Sequence, residues 1–286
     1  MTSGPPGASR LRALLEAHGV KPSKGLGQNF VIDPNTIRKM VAVADIGPRD
    51  RVLEIGAGAG SLTIELARAA REVVAVEADA ALLPVLQETL RGRDNVQLIH
   101  ADALRLDLSR LGATKLVANL PYNIAATVVL ATLQQARRID HITVMTQKEV
   151  GERLVAGPGS KAYGQASVLR AFHADARLVM RVSRRAFYPV PNVDSVVIHL
   201  TRRLTRPHVD ERVFGDVVRA AFSQRRKTLR NSLATLTGSA GRAERALRAA
   251  GINQERRAET LTVDEFSAVA ERIRHYAPGR SAPADL

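Results

Sequence analysis

Short apolar runs alternate with stretches of helical spacing along the first two-thirds of the chain. Arg51-Val52-Leu53-Glu54-Ile55, Val73-Val74-Ala75-Val76, Val96-Gln97-Leu98-Ile99-His100, Lys115-Leu116-Val117-Ala118 and Ile142-Thr143-Val144-Met145 read as five strands. Helices are predicted up to Ala70, over Asp79 to Leu90, over Ile124 to Ala136 and over Gln147 to Leu154. Upstream, Arg10 to Gly19 is a short amphipathic helix with Leu11, Leu14 and Leu15 on one face, and Asp33-Pro34 opens another over Asn35 to Ala44. Two more strand-like runs follow, Ala176 to Val182 and Val193 to Leu200, and from Val209 onward the pattern is helical. Strands alternating with helices predict an α/β fold, a doubly wound Rossmann-like sheet, followed by a small all-helical C-terminal domain. The expected division is a flexible or helical extension over 1–20, a sheet domain over 21–203 and a helical domain over 204–286.

In such a sheet, ligands bind at the carboxyl ends of the strands, and polar residues collect there. The first strand runs into Gly56-Ala57-Gly58-Ala59-Gly60. A dinucleotide fingerprint needs its third glycine where this chain has Ser61, so the better fit is E-x-G-x-G-x-G, which holds the amino-acid end of S-adenosylmethionine. The second strand ends on Glu77, placed to accept from ribose hydroxyls. The third is followed by Asp102, able to accept from an adenine amino group or simply to cap a turn. The fourth runs into Asn119-Leu120-Pro121-Tyr122, where Pro121 stiffens the turn. There a planar amine could lie against the Tyr122 ring while its hydrogens reach the Asn119 side-chain oxygen and a carbonyl of Leu120 or Pro121.

Two loops add to this. Lys21-Pro22-Ser23-Lys24-Gly25-Leu26-Gly27-Gln28-Asn29-Phe30 reads as a basic, glycine-rich lid, with Asn29 towards a ligand and lysines towards phosphate. Ala186-Phe187-Tyr188-Pro189-Val190-Pro191 is stiffened by two prolines, and its Phe187 is a candidate either to stack on the other face of a base held by Tyr122 or to pack into the hydrophobic core.

Charge then names the kind of partner. The net charge is +14, and residues from 201 onward hold 17 Lys and Arg against 10 Asp and Glu, half of that surplus. Charge on this scale points to a polyanion, because neutralised phosphates release counterions. The densest basic run is Ser223-Gln224-Arg225-Arg226-Lys227-Thr228-Leu229-Arg230. No long apolar stretch or basic amphipathic anchor supports a membrane partner. Met1 to Ser9 lacks the apolar core of a signal peptide, and cysteine is absent, so neither disulfides nor thiolate metal sites are expected. A cytoplasmic, metal-free monomer is the expectation.

Taken together in this order, Gly27-Gln28-Asn29-Phe30, Glu54-Ile55-Gly56-Ala57-Gly58, Glu77, Asp102, Asn119-Leu120-Pro121-Tyr122 and Phe187-Tyr188-Pro189-Val190-Pro191 resemble the ribosomal RNA adenine-N6,N6-dimethyltransferases, the type that modifies the small subunit. The resemblance runs from about Lys21 to the C-terminal helices. It implies a class I methyltransferase fold, S-adenosylmethionine as donor, and dimethylation of two adjacent adenosines in a hairpin loop near the 3′ end of small-subunit rRNA during 30S assembly. It implies that Asn29, Val31, Gly56, Gly58, Glu77, Asp102 and Asn119 line the cofactor and reaction site and that Asn119, Leu120, Pro121, Tyr122 and Phe187 hold the target adenine. The charge pattern makes Lys24, Arg225, Arg226, Lys227 and Arg230 the candidate RNA contacts and leaves open which of them do so. A sister family methylates large-subunit rRNA; Asn119-Leu120-Pro121-Tyr122-Asn123-Ile124 and Gln224-Arg225-Arg226-Lys227-Thr228 read more like the small-subunit branch. Ala57 and Ala59 depart from relatives that often carry Pro and a larger residue there.

Overall fold

The computed structural model describes residues 4–23, 25, 27–224 and 226–274. Helix α1 (Ala8–Ala17) and strand β1 (Phe30–Val31) lead into α2 (Pro34–Val43), β2 (Arg51–Ile55), α3 (Ser61–Ala69), β3 (Glu72–Glu77), α4 (Leu83–Thr89) and β4 (Val96–His100). Then come β5 (Lys115–Asn119), α5 (Ala125–Gln135), β6 (His141–Gln147), α6 (Lys148–Val155), α7 (Gln165–His173), β7 (Ala174–Val182), β8 (Phe187–Tyr188) and β9 (Ser195–Arg202). Four further helices follow: α8 (Glu211–Phe222), α9 (Leu229–Thr237), α10 (Ala240–Ala249) and α11 (Val263–Ile273). Several starts are set by side chains. The Asp33 carboxylate accepts from the Asn35 and Thr36 N–H groups with Pro34 in the first helical turn, and Thr262 and Glu265 form a reciprocal capping box on α11.

The main sheet has the order β4-β3-β2-β5-β6-β9-β7. Strands β2 to β6 are parallel, and β9 runs antiparallel between β6 and β7. Helices on both faces explain why the central strands are nearly continuous apolar runs: Val73, Val74, Ala75, Leu116, Val117 and Ala118 are all fully buried. An antiparallel strand inserted beside the last parallel one departs from the dinucleotide-binding order. A second, two-stranded sheet pairs β1 with β8, Phe30 opposite Tyr188 and Val31 opposite Phe187.

The chain forms two compact units, one of residues up to Val155 with Ala174–Arg202, the other of Ala156–His173 with the chain from Arg203 onward. This corrects two of the expected boundaries. The segment containing α7, a helix absent from the predicted elements, leaves the sheet domain for the helical one. The reason is apolar: Tyr163, Val168 and Phe172 are buried in a cluster with Phe214, Leu233 and Phe266, and the Phe172 and Phe214 rings lie 4.3 Å apart between centroids. The Tyr163 hydroxyl also donates to the Leu261 carbonyl at 2.8 Å. At the other end, α1 is part of the sheet unit, with Leu11, Leu14 and Leu15 buried beside Phe30, Leu82 and Val85.

Helix α6 lies so close to β9 that a Cβ on Gly151 would stand 2.3 Å from the Val196 Cγ2. The Gly151→Ala variant is therefore expected to be overpacked and destabilised by about 1–3 kcal/mol, read as a lower urea midpoint at unchanged slope.

Candidate active site

A cavity of about 300 Å³ opens at the carboxyl ends of β2, β3 and β5, within the sheet unit. Its floor is the loop between β2 and α3. Gly56 donates its N–H to the Val76 carbonyl at 2.8 Å, which ties the loop to β3. Gly58 has φ of +60°, and a Cβ there would meet the Phe30 ring at 3.1 Å, so the glycine lets the loop and β1 close on each other.

Glu77 ends β3, buried, with one oxygen accepting from the Gly58 N–H (2.8 Å) and the other from the Ala78 and Asp79 N–H groups (2.9 Å each). It braces the glycine loop as well as facing the cavity. Asp102 also lines the cavity, and one of its oxygens accepts from the Leu104 N–H at 3.0 Å. Asp102 thus caps the turn that follows β4 while standing at the cavity.

The Asn119 amide donates through Nδ2 to the Asn29 carbonyl at 3.0 Å. That bond decides which way the amide faces and leaves Oδ1 as an acceptor at the cavity. Asn29 in turn donates its side-chain N–H to the Gly27 carbonyl at 3.1 Å. The Leu120 N–H donates to Met145 (3.0 Å), and the Pro121 carbonyl accepts from the Ile124 N–H (3.2 Å). Of the two carbonyls offered by the sequence, Pro121 is already engaged; Leu120 accepts no hydrogen bond among the described residues. The Tyr122 hydroxyl lies 3.4 Å from the Ser195 Oγ, and burial pushes its pKa up. Asn29, Val31, Gly56, Gly58, Glu77, Asp102 and the Asn119–Tyr122 turn are thereby brought together around one cavity.

Phe187 is the exception and corrects the expected stack. Its ring is 1% exposed, in a core cluster with Val31, Ala57, Val182 and Val197, and it does not line the cavity. Pairing with Val31 in the two-stranded β1–β8 sheet places it behind the wall rather than in it, and burial of an aromatic ring holds it there. Of the basic residues, Arg226 and Lys227 are exposed on the α8–α9 connection, whereas the Arg230 Nε is held by Glu244 at 3.1 Å. Lys24 and Arg225 lie outside the described residues.

Two contributors were not singled out from sequence. Gln28 donates to the Asp79 carboxylate at 2.7 Å and accepts from the Ser23 N–H at 2.7 Å, strapping the lid loop to the end of β3. The polar pair Gln28-Asn29 was its only signal. Glu54, on β2, is fully buried at the cavity with Oε2 unpartnered, as are the Ser61 and Thr63 hydroxyls. Burial pushes its pKa up to about 8, the nearby Thr63 hydroxyl offsets part of this without reaching hydrogen-bond geometry, and the Glu77 charge adds to the rise.

Unpartnered buried polar atoms beneath a glycine loop, a ribose-height carboxylate and a carboxylate beyond it suit a polar nucleoside with an amino-acid tail. With the sheet order, they define an S-adenosylmethionine-dependent methyltransferase of class I. The model for ribosomal RNA adenine dimethylases matches residues 20–275, and the chain belongs to that family. It is 44% identical over 281 residues to the ribosomal RNA small subunit methyltransferase A of Moorella thermoacetica, covering 93% of this chain and 97% of that one. It is 46% identical to the protein of that name from Streptomyces coelicolor, covering 93% and 96%. Among solved structures, a dimethyladenosine transferase from Plasmodium falciparum shares the fold (TM-score 0.74, 23% identity, 84% of this chain and 95% of that one). The 23S rRNA methyltransferase ErmE is also similar (TM-score 0.65, 28% identity, 86% and 100%). Among the described residues no cluster of three or more metal-ligating side chains occurs, and no helix is long and apolar enough to cross a membrane.

Glu54 gives the site a pH signature. Its folded pKa lies above the unfolded value of 4.5, so between about 4.5 and 8 the folded protein binds the extra proton and stability falls as pH rises. Glu54→Gln keeps the shape and removes the titration. Its melting temperature relative to the parent protein should therefore climb from pH 5 to pH 8, by at least the roughly 2–4 °C that 1 kcal/mol produces in a domain of this size.

Proposed function

We propose that this protein uses S-adenosylmethionine to dimethylate N6 of two adjacent adenosines in the hairpin loop near the 3′ end of small-subunit rRNA, acting in the cytoplasm as a monomer during 30S assembly. The observation that carries the chemistry is the pair of free acceptors at the end of β5: the Asn119 Oδ1, oriented by the bond to Asn29, and the Leu120 carbonyl. Support for the small subunit comes from the 44% and 46% identical relatives of that name, against 28% for the 23S rRNA methyltransferase.

The N6 amine of adenine is a poor nucleophile because its lone pair is delocalised into the ring. Two acceptors that each take one of its N–H groups favour a more pyramidal nitrogen with a more available lone pair. The Tyr122 ring fixes the base, the Ser195 hydroxyl fixes Tyr122, and Pro121 stiffens the turn that carries them. Bound S-adenosylmethionine supplies a methyl group on a positively charged sulfonium. Gly56 and Gly58 let the loop backbone approach its amino-acid end, Glu77 accepts from the ribose, Asp102 accepts from the donor's adenine, and Asn29 and Val31 close the lid side. Positioning and electrostatics then provide the acceleration, and the proton passes to solvent after transfer. In this reading Tyr122 is the stacking ring, and Phe187 contributes by backing Val31. Lys24, Arg225, Arg226, Lys227 and Arg230 supply phosphate contacts, and of these Arg226 and Lys227 are exposed on the α8–α9 connection.

The test is transfer of labelled methyl groups to immature small and large subunits side by side. Dimethyladenosine is expected in small-subunit rRNA alone; transfer to large-subunit rRNA, or binding without transfer, overturns the reading. Asn119→Ala should reduce turnover by about 10²–10³, the effect of removing one preorganised hydrogen-bonding group, while RNA binding is retained. Undiminished turnover would refute the role given to that amide.

A further inference from the structure

The cavity wall made by β1 is backed by β8, and positive charge gathers at the approach to β8. Arg184 and Arg185 occupy the 3-10 turn Arg184–Ala186 immediately before it. The Ala186 carbonyl accepts from the Ile32 N–H at 2.8 Å, so the turn is fastened to the end of β1. From a separate element, α1, the Arg12 guanidinium lies 4.6 Å above the Tyr188 ring. Tyr188 faces Phe30 across the two-stranded sheet, and Phe30 lines the cavity. Three arginines from two elements thus meet at β8, the strand paired with cavity-lining β1, all in the sheet unit.

Their surroundings leave the charge available. All three are exposed. Arg230 and Arg256 are held by Glu244 and Glu265, but none of these three is ion-paired among the described residues. Asp194, the acid brought to this turn, uses one oxygen on the Arg184 backbone N–H at 3.0 Å. A guanidinium stacked on a ring keeps its N–H edge for an anion. In the same loop Val190 and Val193 are 59% and 40% exposed, apolar surface at the margin of a basic patch.

We infer that Arg12, Arg184 and Arg185 hold phosphates of the RNA strand on either side of the target adenosine. This rests on the proposed reaction at the cavity, since a base drawn into it brings its own backbone past the rim. Contacts of this kind position the strand without reading its sequence, and exposed valines suit the flanking sugars and bases of an unpaired loop. The sheet unit would then grip its substrate directly, in addition to the basic run on the helical unit.

The test is the salt dependence of binding of the full-length protein to immature small subunits, from about 50 to 200 mM KCl. For a single strand, each lost phosphate contact flattens the slope of log K against log salt by about 0.7. Arg184→Ala with Arg185→Ala should flatten it by about 1.4, and adding Arg12→Ala by about 2. Arg184→Lys with Arg185→Lys should keep the parent slope, and S-adenosylhomocysteine should bind all variants as it binds the parent. Parent slopes in the alanine variants would overturn the inference, including the case in which the patch serves an acidic protein. The two readings fail separately: flattened slopes without methyl transfer would leave the grip standing and the reaction not, and transfer with unmoved slopes the reverse.

Discussion

Strand β2 has a parallel neighbour on each side, β3 and β5, and the connections from β2 and from β5 leave on opposite faces of the sheet. Such a reversal of strand order opens a crevice at the carboxyl ends. Everything chemical in this chain is placed by that crevice. The glycine loop leaves β2, Glu77 ends β3, and Asn119 ends β5, so three residues far apart in sequence share one cavity. Because the strands are buried on both faces, their ends cannot drift independently, and the site inherits the rigidity of the core.

The lid segment is held onto this frame by few but specific contacts. Asn119 reaches the Asn29 carbonyl, Gln28 reaches Asp79, and the Phe30 ring rests against Gly58. Each joins the loop to a different strand end. Helix α1 adds an apolar contribution from below, since Leu11, Leu14 and Leu15 bury their side chains with Phe30, Leu82 and Val85. The bond that fastens the lid also orients the Asn119 amide and leaves its Oδ1 towards the cavity. Glu77 has a similar double use, bracing the Gly58 backbone while facing the ligand space.

Much of the site was legible because its residues stand at the ends of apolar runs, where side-chain chemistry and strand position are both readable. Glu77, Asp102, Asn119 and the glycine loop were found in that way. The Leu120 carbonyl could be preferred over Pro121 only after the Ile124 N–H was seen to occupy the latter. Phe187 was misplaced for a related reason. Its loop shows an aromatic between polar residues and prolines, but the side facing the core is set by pairing with Val31, 156 positions away in the sequence. Glu54 was read as one letter of a glycine motif, and its burial and raised pKa emerge from packing.

Local pattern by itself determined the alternation of strands and helices, the strand-end chemistry and the basic character of the last third, because these depend on period, residue type and charge. Tertiary structure alone decided the β1–β8 pairing, the transfer of α7 to the helical unit and the convergence of Arg12 with Arg184 and Arg185. A two-residue strand has no period to read, and a helix of nine residues joins whichever core buries its apolar face. Arginines on separate elements become neighbours only when a ring such as Tyr188 is placed between them. Those outcomes depend on contacts between distant segments, whose free energy of burial no local stretch encodes.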